Sequence, residues 1–155
     1  MSNYSVESVL TDEALFNDFS WNRSSLIDFG DFMRNEGIKD KKPIVISIFL
    51  HEQRIYQVGL EGSSAENDVW VSRKVNTVKA TKHASIYLRA QIEGEVKSRL
   101  GIENNLGDLA ICGGGMPILK SNELVGIVVI SGLPHYEDHL YIVDNFKKWS
   151  KNNGI

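Results

Sequence analysis

The chain reads as one α+β domain built on an antiparallel sheet, and three observations predict this. Two pairs of short, β-branched runs are each separated by only a few turn residues, the spacing of hairpins. Longer stretches with helical periodicity flank both pairs. No strand–helix–strand alternation calls for a parallel sheet. With 155 residues, 42% hydrophobic and 24% charged, the chain can fill one core but not two, so residues 1–155 are read as a single domain.

Residues 1–18 form an N-terminal arm or helix, with Thr11, Asp12 and Glu13 resembling a helix start inside it. In "SWNRSSLIDFGDFMRNEG", Ser20 caps a helix, Leu26, Phe29 and Met33 recur at its period, and Gly37 ends it. Gly30 lies mid-helix at a cost of ~1 kcal/mol relative to Ala, which predicts close packing against a strand. "PIVISIFL" (43–50) is a buried strand, and the turn "HEQ" returns the chain into "RIYQVGL" (54–60). Asp68 is the expected N-cap of "VWVSRKVNTVKATKH", with Trp70, Lys74 and Val78 on one face. Residues 84–99 carry both a strand alternation and helix-favouring composition, and are read as a helix ending near Gly101. "LAICGGGMPILK" and "ELVGIVVIS" are two strands joined at "SN". A last helix opens around "GLPHYED" and runs to Lys151, its acids in the first turn and its lysines in the last, complementing the helix dipole.

A net charge of −3 and the absence of a basic stripe argue against nucleic-acid binding. No run approaches the ~20 apolar residues of a membrane span, and no signal-like leader opens the chain. The single Cys112 excludes an internal disulfide, so a cytoplasmic location is expected.

Gly113, Gly114 and Gly115 carry a large ordering cost, so something there requires bare backbone. One reading is a ligand pressed on exposed N–H groups, with Pro117 stiffening the exit; the other is a bulge or sharp bend against a neighbouring strand. A strand follows these glycines and no Gly-Lys-Ser/Thr appears, so they are not a phosphate loop. Arg73 and Lys74 either face an anionic ligand or form a solvated helix flank. His83 is a candidate axial ligand or acid–base group, and His135 and His139, four residues apart, could share a metal. Cys112 is a nucleophile or an inert buried thiol; Ser131, before Gly132, has a last-helix cap as its simplest role; Trp70 and Met116 read as core.

Taken in order, several short motifs resemble the HbpS/GlcG-like superfamily, often labelled haem-degrading domain, and within it a branch of small bacterial and fungal proteins. They are Phe19-Ser20-Trp21, Gly30, the Asn67, Asp68, Trp70, Arg73, Lys74 set, Gly113-Gly114 with Pro117-Ile118, and Ser131 to Pro134 followed by Asp138-His139. The likeness spans about residues 15–150; Glu66, Ala84-Ser85, Gly115 and Met116 depart from the usual pattern. It implies a profilin-like three-layer α/β/α sandwich around a mainly antiparallel five-stranded sheet, and homodimers or higher homo-oligomers. It implies no particular reaction; haem is the cofactor that it admits.

The expected function is therefore that of a homo-oligomeric protein binding a small anionic or planar ligand, haem or another tetrapyrrole among the candidates. The expected pocket lies where the Gly113–Pro117 loop, the start of the Asp68 helix and the Ser131–His139 turn meet. Arg73, Lys74, Gly113, Gly114, Gly115, Pro117, Ser131 and Gly132 are the expected ligand contacts, with His83 or His139 as the iron contact and no dedicated metal site. The alternatives are an interaction scaffold without a small ligand and an enzyme that its motifs do not declare.

Overall fold

The computed structural model describes residues 4–93, 108–134 and 136–152. Their elements, in order, are α1 (Val6–Asp18), α2 (Arg23–Lys39), β1 (Val45–Leu50), β2 (Gln53–Gly59), α3 (Ala65–Thr81), α4 (Tyr87–Glu93), β3 (Gly115–Lys120), β4 (Glu123–Ser131) and α5 (Tyr136–Asn152). His135 and the expected helix end near Gly101 lie outside the described residues.

Both hairpins close through two-residue turns in the left-handed region: His51 and Glu52 (φ 48° and 68°), and Ser121 and Asn122 (φ 53° and 65°). That geometry matches the twist of the strands it joins. All pairings are antiparallel, in the order β2-β1-β4-β3, so β1 and β4 are central. Four strands, not five, form the sheet among the described residues. The run expected as a strand from Leu109 becomes one only at Gly115, because Gly114 takes φ +122° and turns the backbone out of extension.

Side-chain alternation divides the sheet into two buried faces. Ile44, Ile46, Ile48, Met116, Val128 and Ile130 join the core beneath α1, α2 and α5. Val45, Ile127 and Val129 instead meet Val71, Val75 and Val78 of α3. Helices therefore cover both sides. The larger core holds an aromatic cluster in which Trp21 stacks on Trp149 (centroids 5.4 Å apart) and on Phe16 (5.9 Å). Trp21 Nε1 donates to Phe16 O at 2.8 Å, fixing the turn between α1 and α2.

The helix starts differ from those expected. Asn22, not Ser20, caps α2: its Oδ1 accepts from Ser25 N (2.8 Å), and Ser25 Oγ accepts from Asn22 N (2.9 Å). Ser64, not Asp68, precedes α3, where Asn67 Oδ1 accepts from Ser64 N at 2.9 Å. Each is a reciprocal pair three residues apart, which outcompetes a lone cap. Ser5 begins α1, leaving Thr11, Asp12 and Glu13 within the helix rather than at a start. Gly37 does not end α2; a Cβ there would lie 2.7 Å from Leu60 Cδ1 and 3.0 Å from the Tyr141 hydroxyl. Gly30 sits against Tyr56 of β2, whose ring would come within 2.9 Å of an added Cβ.

Candidate functional site

At the end of β4, alternation turns Ser131 to the α3 face, and the chain then bends through Gly132, Leu133 and Pro134 into α5. Gly132 is held at φ +145° with its Cα hydrogens against the chain: a Cβ would fall 2.3 Å from Pro43 O. Asp138, in the first turn of α5, organises this bend. Its Oδ1 accepts from Leu133 N at 2.9 Å and its Oδ2 from Gly132 N at 3.3 Å.

Lys74, two turns into α3, reaches the same carboxylate. Its Nζ donates to Asp138 Oδ2 at 2.9 Å and to Ile130 O at 2.8 Å. The two side chains are only 2% and 4% exposed, so this is a buried ion pair, not a helix flank in solvent. Burial pushes the Asp138 carboxyl above its ordinary range, against the opposing pull of the Lys74 ammonium and the two amides.

This pair answers why the glycines are needed. A Cβ on Gly114 would lie 2.3 Å from Ile130 O and 2.7 Å from Lys74 Nζ. One on Gly115 would press Val78 and Ser85, and Ser85 Oγ itself accepts from Gly115 N (2.9 Å) and donates to Cys112 O (2.6 Å). Bare backbone at Gly114 and Gly115 is thus required by the backbone carbonyl of Ile130 and by side chains of the same protein.

In front of the ion pair lies a recess of about 240 Å³. Lys74 and Asp138 contribute to it, with Glu66, Asn67 and Trp70 from the first turns of α3, Cys112, and the Ser131–Leu133 bend. Asn67 Nδ2 donates to Ser131 Oγ at 3.4 Å, bridging the two sides; Ser131 makes this contact rather than capping α5. The Arg73 guanidinium lies over the Trp70 ring, 4.4 Å from its centroid. Cys112 is a half-buried free thiol on the wall.

The structure thus brings together Lys74, Ser131 and Gly132 of the expected contacts, and places Arg73 one residue-contact behind Trp70. Gly113, Gly114, Gly115 and Pro117 are buried and do not line the recess. His83 and His139 lie elsewhere, both tied to α1. His83 Nδ1 is 3.0 Å from Glu13 Oε1, its ring stacks on Tyr87 (3.8 Å), and Glu13 also accepts from Ala84 N. His139 is fully buried, its Nε2 2.9 Å from Asp12 Oδ2. No group of three or more metal-ligating side chains occurs among the described residues. Sequence reasoning missed Asp138 and Asn67 as site residues and Asp12 and Glu13 as imidazole partners. The reciprocal spacing of Ser64 and Asn67 was the available signal for one of them; the others depend on contacts across 64 to 127 residues.

A four-stranded antiparallel sheet, covered by helices on both faces and opening a small polar recess at the end of a central strand, defines the class as a two-sided α+β sandwich. The chain belongs to the HbpS-like family: the family described as haem degrading protein HbpS-like matches residues 24–146. A UPF0303 protein of Brucella canis is 34% identical over 128 residues, covering 80% of this chain and 75% of that protein. Among solved structures, the crystal structure of Ybr137w protein matches with a TM-score of 0.83 at 23% identity, over 99% of this chain and 92% of that one. The crystal structure of a PduOC:heme complex matches with a TM-score of 0.64 at 19% identity, over 82% and 95%. These structural likenesses establish the fold.

Proposed function

We propose that the protein binds a small, planar molecule bearing an oxygen acceptor in the recess between the start of α3 and the Ser131–Leu133 bend. One observation carries this reading: Lys74, its buried Nζ bonded to Ile130 O and Asp138, lines a recess together with Trp70, Asn67 and Ser131. Such a mixture of one aromatic surface with a few fixed polar groups is what orients a small ligand. The volume of about 240 Å³ falls just below the usual ~300–1,000 Å³ of ligand pockets, so the ligand is compact. Thermal unfolding in the presence of a panel of small planar carboxylates tests it. A ligand at a hundred times its Kd adds about 2.7 kcal/mol of stability, which raises Tm by roughly 5–10 °C in a chain of this size. The shift should disappear in Trp70→Ala; a panel without any shift, or one whose shifts survive that substitution, rejects the reading.

Haem is the second reading, and its support lies at a different place. The His83 ring is one-third exposed, pinned at Nδ1 by the buried Glu13 and stacked on Tyr87, which leaves Nε2 for an iron. The family description and the likeness to a haem complex support it too. Haem titration followed by visible absorption tests it: a Soret shift that His83→Ala removes is expected, and an unshifted spectrum disposes of haem. His139, sealed against Asp12, is not an iron contact in this reading.

A further inference from the structure

We propose that Lys74 captures small carbonyl compounds as a reversible imine, a reading that rests on the recess being a ligand site. Lys74 Nζ is withdrawn from solvent to within 2.9 Å of a carboxylate, and its side chain lines a cavity. Two of its three N–H groups have acceptors, Ile130 O and Asp138 Oδ2, and no further acceptor is present among the described residues. A ligand atom entering the recess supplies the third partner. Asp138 Oδ2, 2.9 Å from Nζ, is placed to take a proton from it as a carbonyl carbon approaches, and the amine so freed is the nucleophilic form of lysine. The upward push of burial on the Asp138 carboxyl favours the same transfer.

The step balances without an oxidant or reductant. A proton moves from Nζ to Asp138 Oδ2, and the freed lone pair attacks the carbonyl carbon, forming the C–N bond as the C=O π bond opens onto oxygen. That oxygen takes the proton back from Asp138, and the carbinolamine, on losing a second nitrogen proton to Asp138 and receiving it at its hydroxyl, expels water. An ammonium and a carbonyl thus become a protonated imine and one water; hydrolysis reverses it. The compact cavity and Trp70 select a short, flat carbonyl acid or aldehyde over a bulky one.

Glyoxylate and pyruvate, each with cyanoborohydride as the trap, test this on the full chain, read by peptide mass mapping. The expected result is a single dominant adduct on the peptide containing Lys74, lost in Lys74→Arg and slowed in Asp138→Asn. Circular dichroism confirms that those variants fold; should either not fold, the wild-type map still decides, because it locates the adduct directly. Adducts confined to exposed lysines such as Lys39, Lys79 and Lys148 overturn the proposal. A probe that shifts Tm in a Trp70-dependent manner without modifying Lys74 overturns the imine and leaves the ligand site standing. Neither a shift nor an adduct with these probes overturns the imine, and the carboxylate panel then judges the recess separately.

Discussion

Replacing Lys74 with Met keeps the length of the side chain while deleting its charge, and the consequences follow from the geometry. The variant loses the 2.9 Å ion pair to Asp138 and the 2.8 Å bond to Ile130 O, between side chains that are almost wholly buried. Breaking one partner out of a buried pair costs about 3–5 kcal/mol, because the remaining charge is left without compensation. Asp138 can escape this by protonating, so the cost depends on pH. Burial already raises its pKa in the presence of Lys74; without the ammonium's opposing pull the native value climbs further. A carboxyl whose native pKa exceeds its unfolded one, ~3.9, binds its proton more tightly when folded. Stability is then greatest below the unfolded pKa and falls as pH rises towards the native one, by up to ~1.4 kcal/mol per pH unit. Urea unfolding at intervals from about pH 4 to about pH 8 should show Lys74→Met close to wild type in acid and diverging steadily upward, with Lys74→Met/Asp138→Asn flat. A Lys74→Met protein within ~1 kcal/mol of wild type at neutral pH, with no added slope, refutes the buried pair as the organiser of the site.

Gly114→Ala should cost roughly 3 kcal/mol in urea unfolding, since its Cβ would meet Ile130 O at 2.3 Å and the residue sits at φ +122°; wild-type stability would contradict that packing. Phe16→Ala should cost about 3–5 kcal/mol by removing a fully buried ring from the Trp21–Phe29–Phe146 cluster, and a loss below ~1 kcal/mol would show the cluster to be loose. At high pH, Tyr56 holds its proton to about 12 from an ordinary 10.0, through burial and then its bond to Asp31. The native chain therefore keeps a proton that the unfolded chain has lost, so stability holds below pH 10.0 and falls as pH rises to about 12; Tyr56→Phe should flatten part of that fall, and parallel curves would exclude the effect. Among the described residues β2 is an edge strand, which fits the expected homo-oligomer; sedimentation equilibrium should find species heavier than one chain, and a single-chain mass at high concentration would exclude it.

Local chemistry made the hairpins, the long helices and the need for bare backbone at Gly30, Gly114 and Gly115 legible in the sequence. What sequence could not supply was the partner of each feature. The glycine run announces a close approach without saying to what, and the answer, Ile130 O and the Lys74–Asp138 pair, lies in other elements. Lys74 reads as an anion contact or a solvated helix flank; only the fold reveals a carboxylate 64 residues away as its partner. Asp138 reads as a helix-dipole acid, which it is, while also holding the Gly132 and Leu133 amides. The caps were misplaced for a physical reason: Asn22 with Ser25 and Ser64 with Asn67 satisfy each helix end reciprocally, and a single hydroxyl or carboxylate nearby cannot match that. The carboxylate partners of His83 and His139, Glu13 and Asp12, come from the N-terminal helix, and their pairing depends on the fold.

Amide chemical-shift mapping of the isotope-labelled protein during titration with the small planar carboxylates measures where a ligand sits. The account predicts shifts concentrated at Asn67, Trp70, Lys74, Cys112, Gly132 and Leu133, the residues that converge on the recess. Shifts gathered instead around Glu13, His83 and Tyr87, or none at saturating concentration, would contradict it.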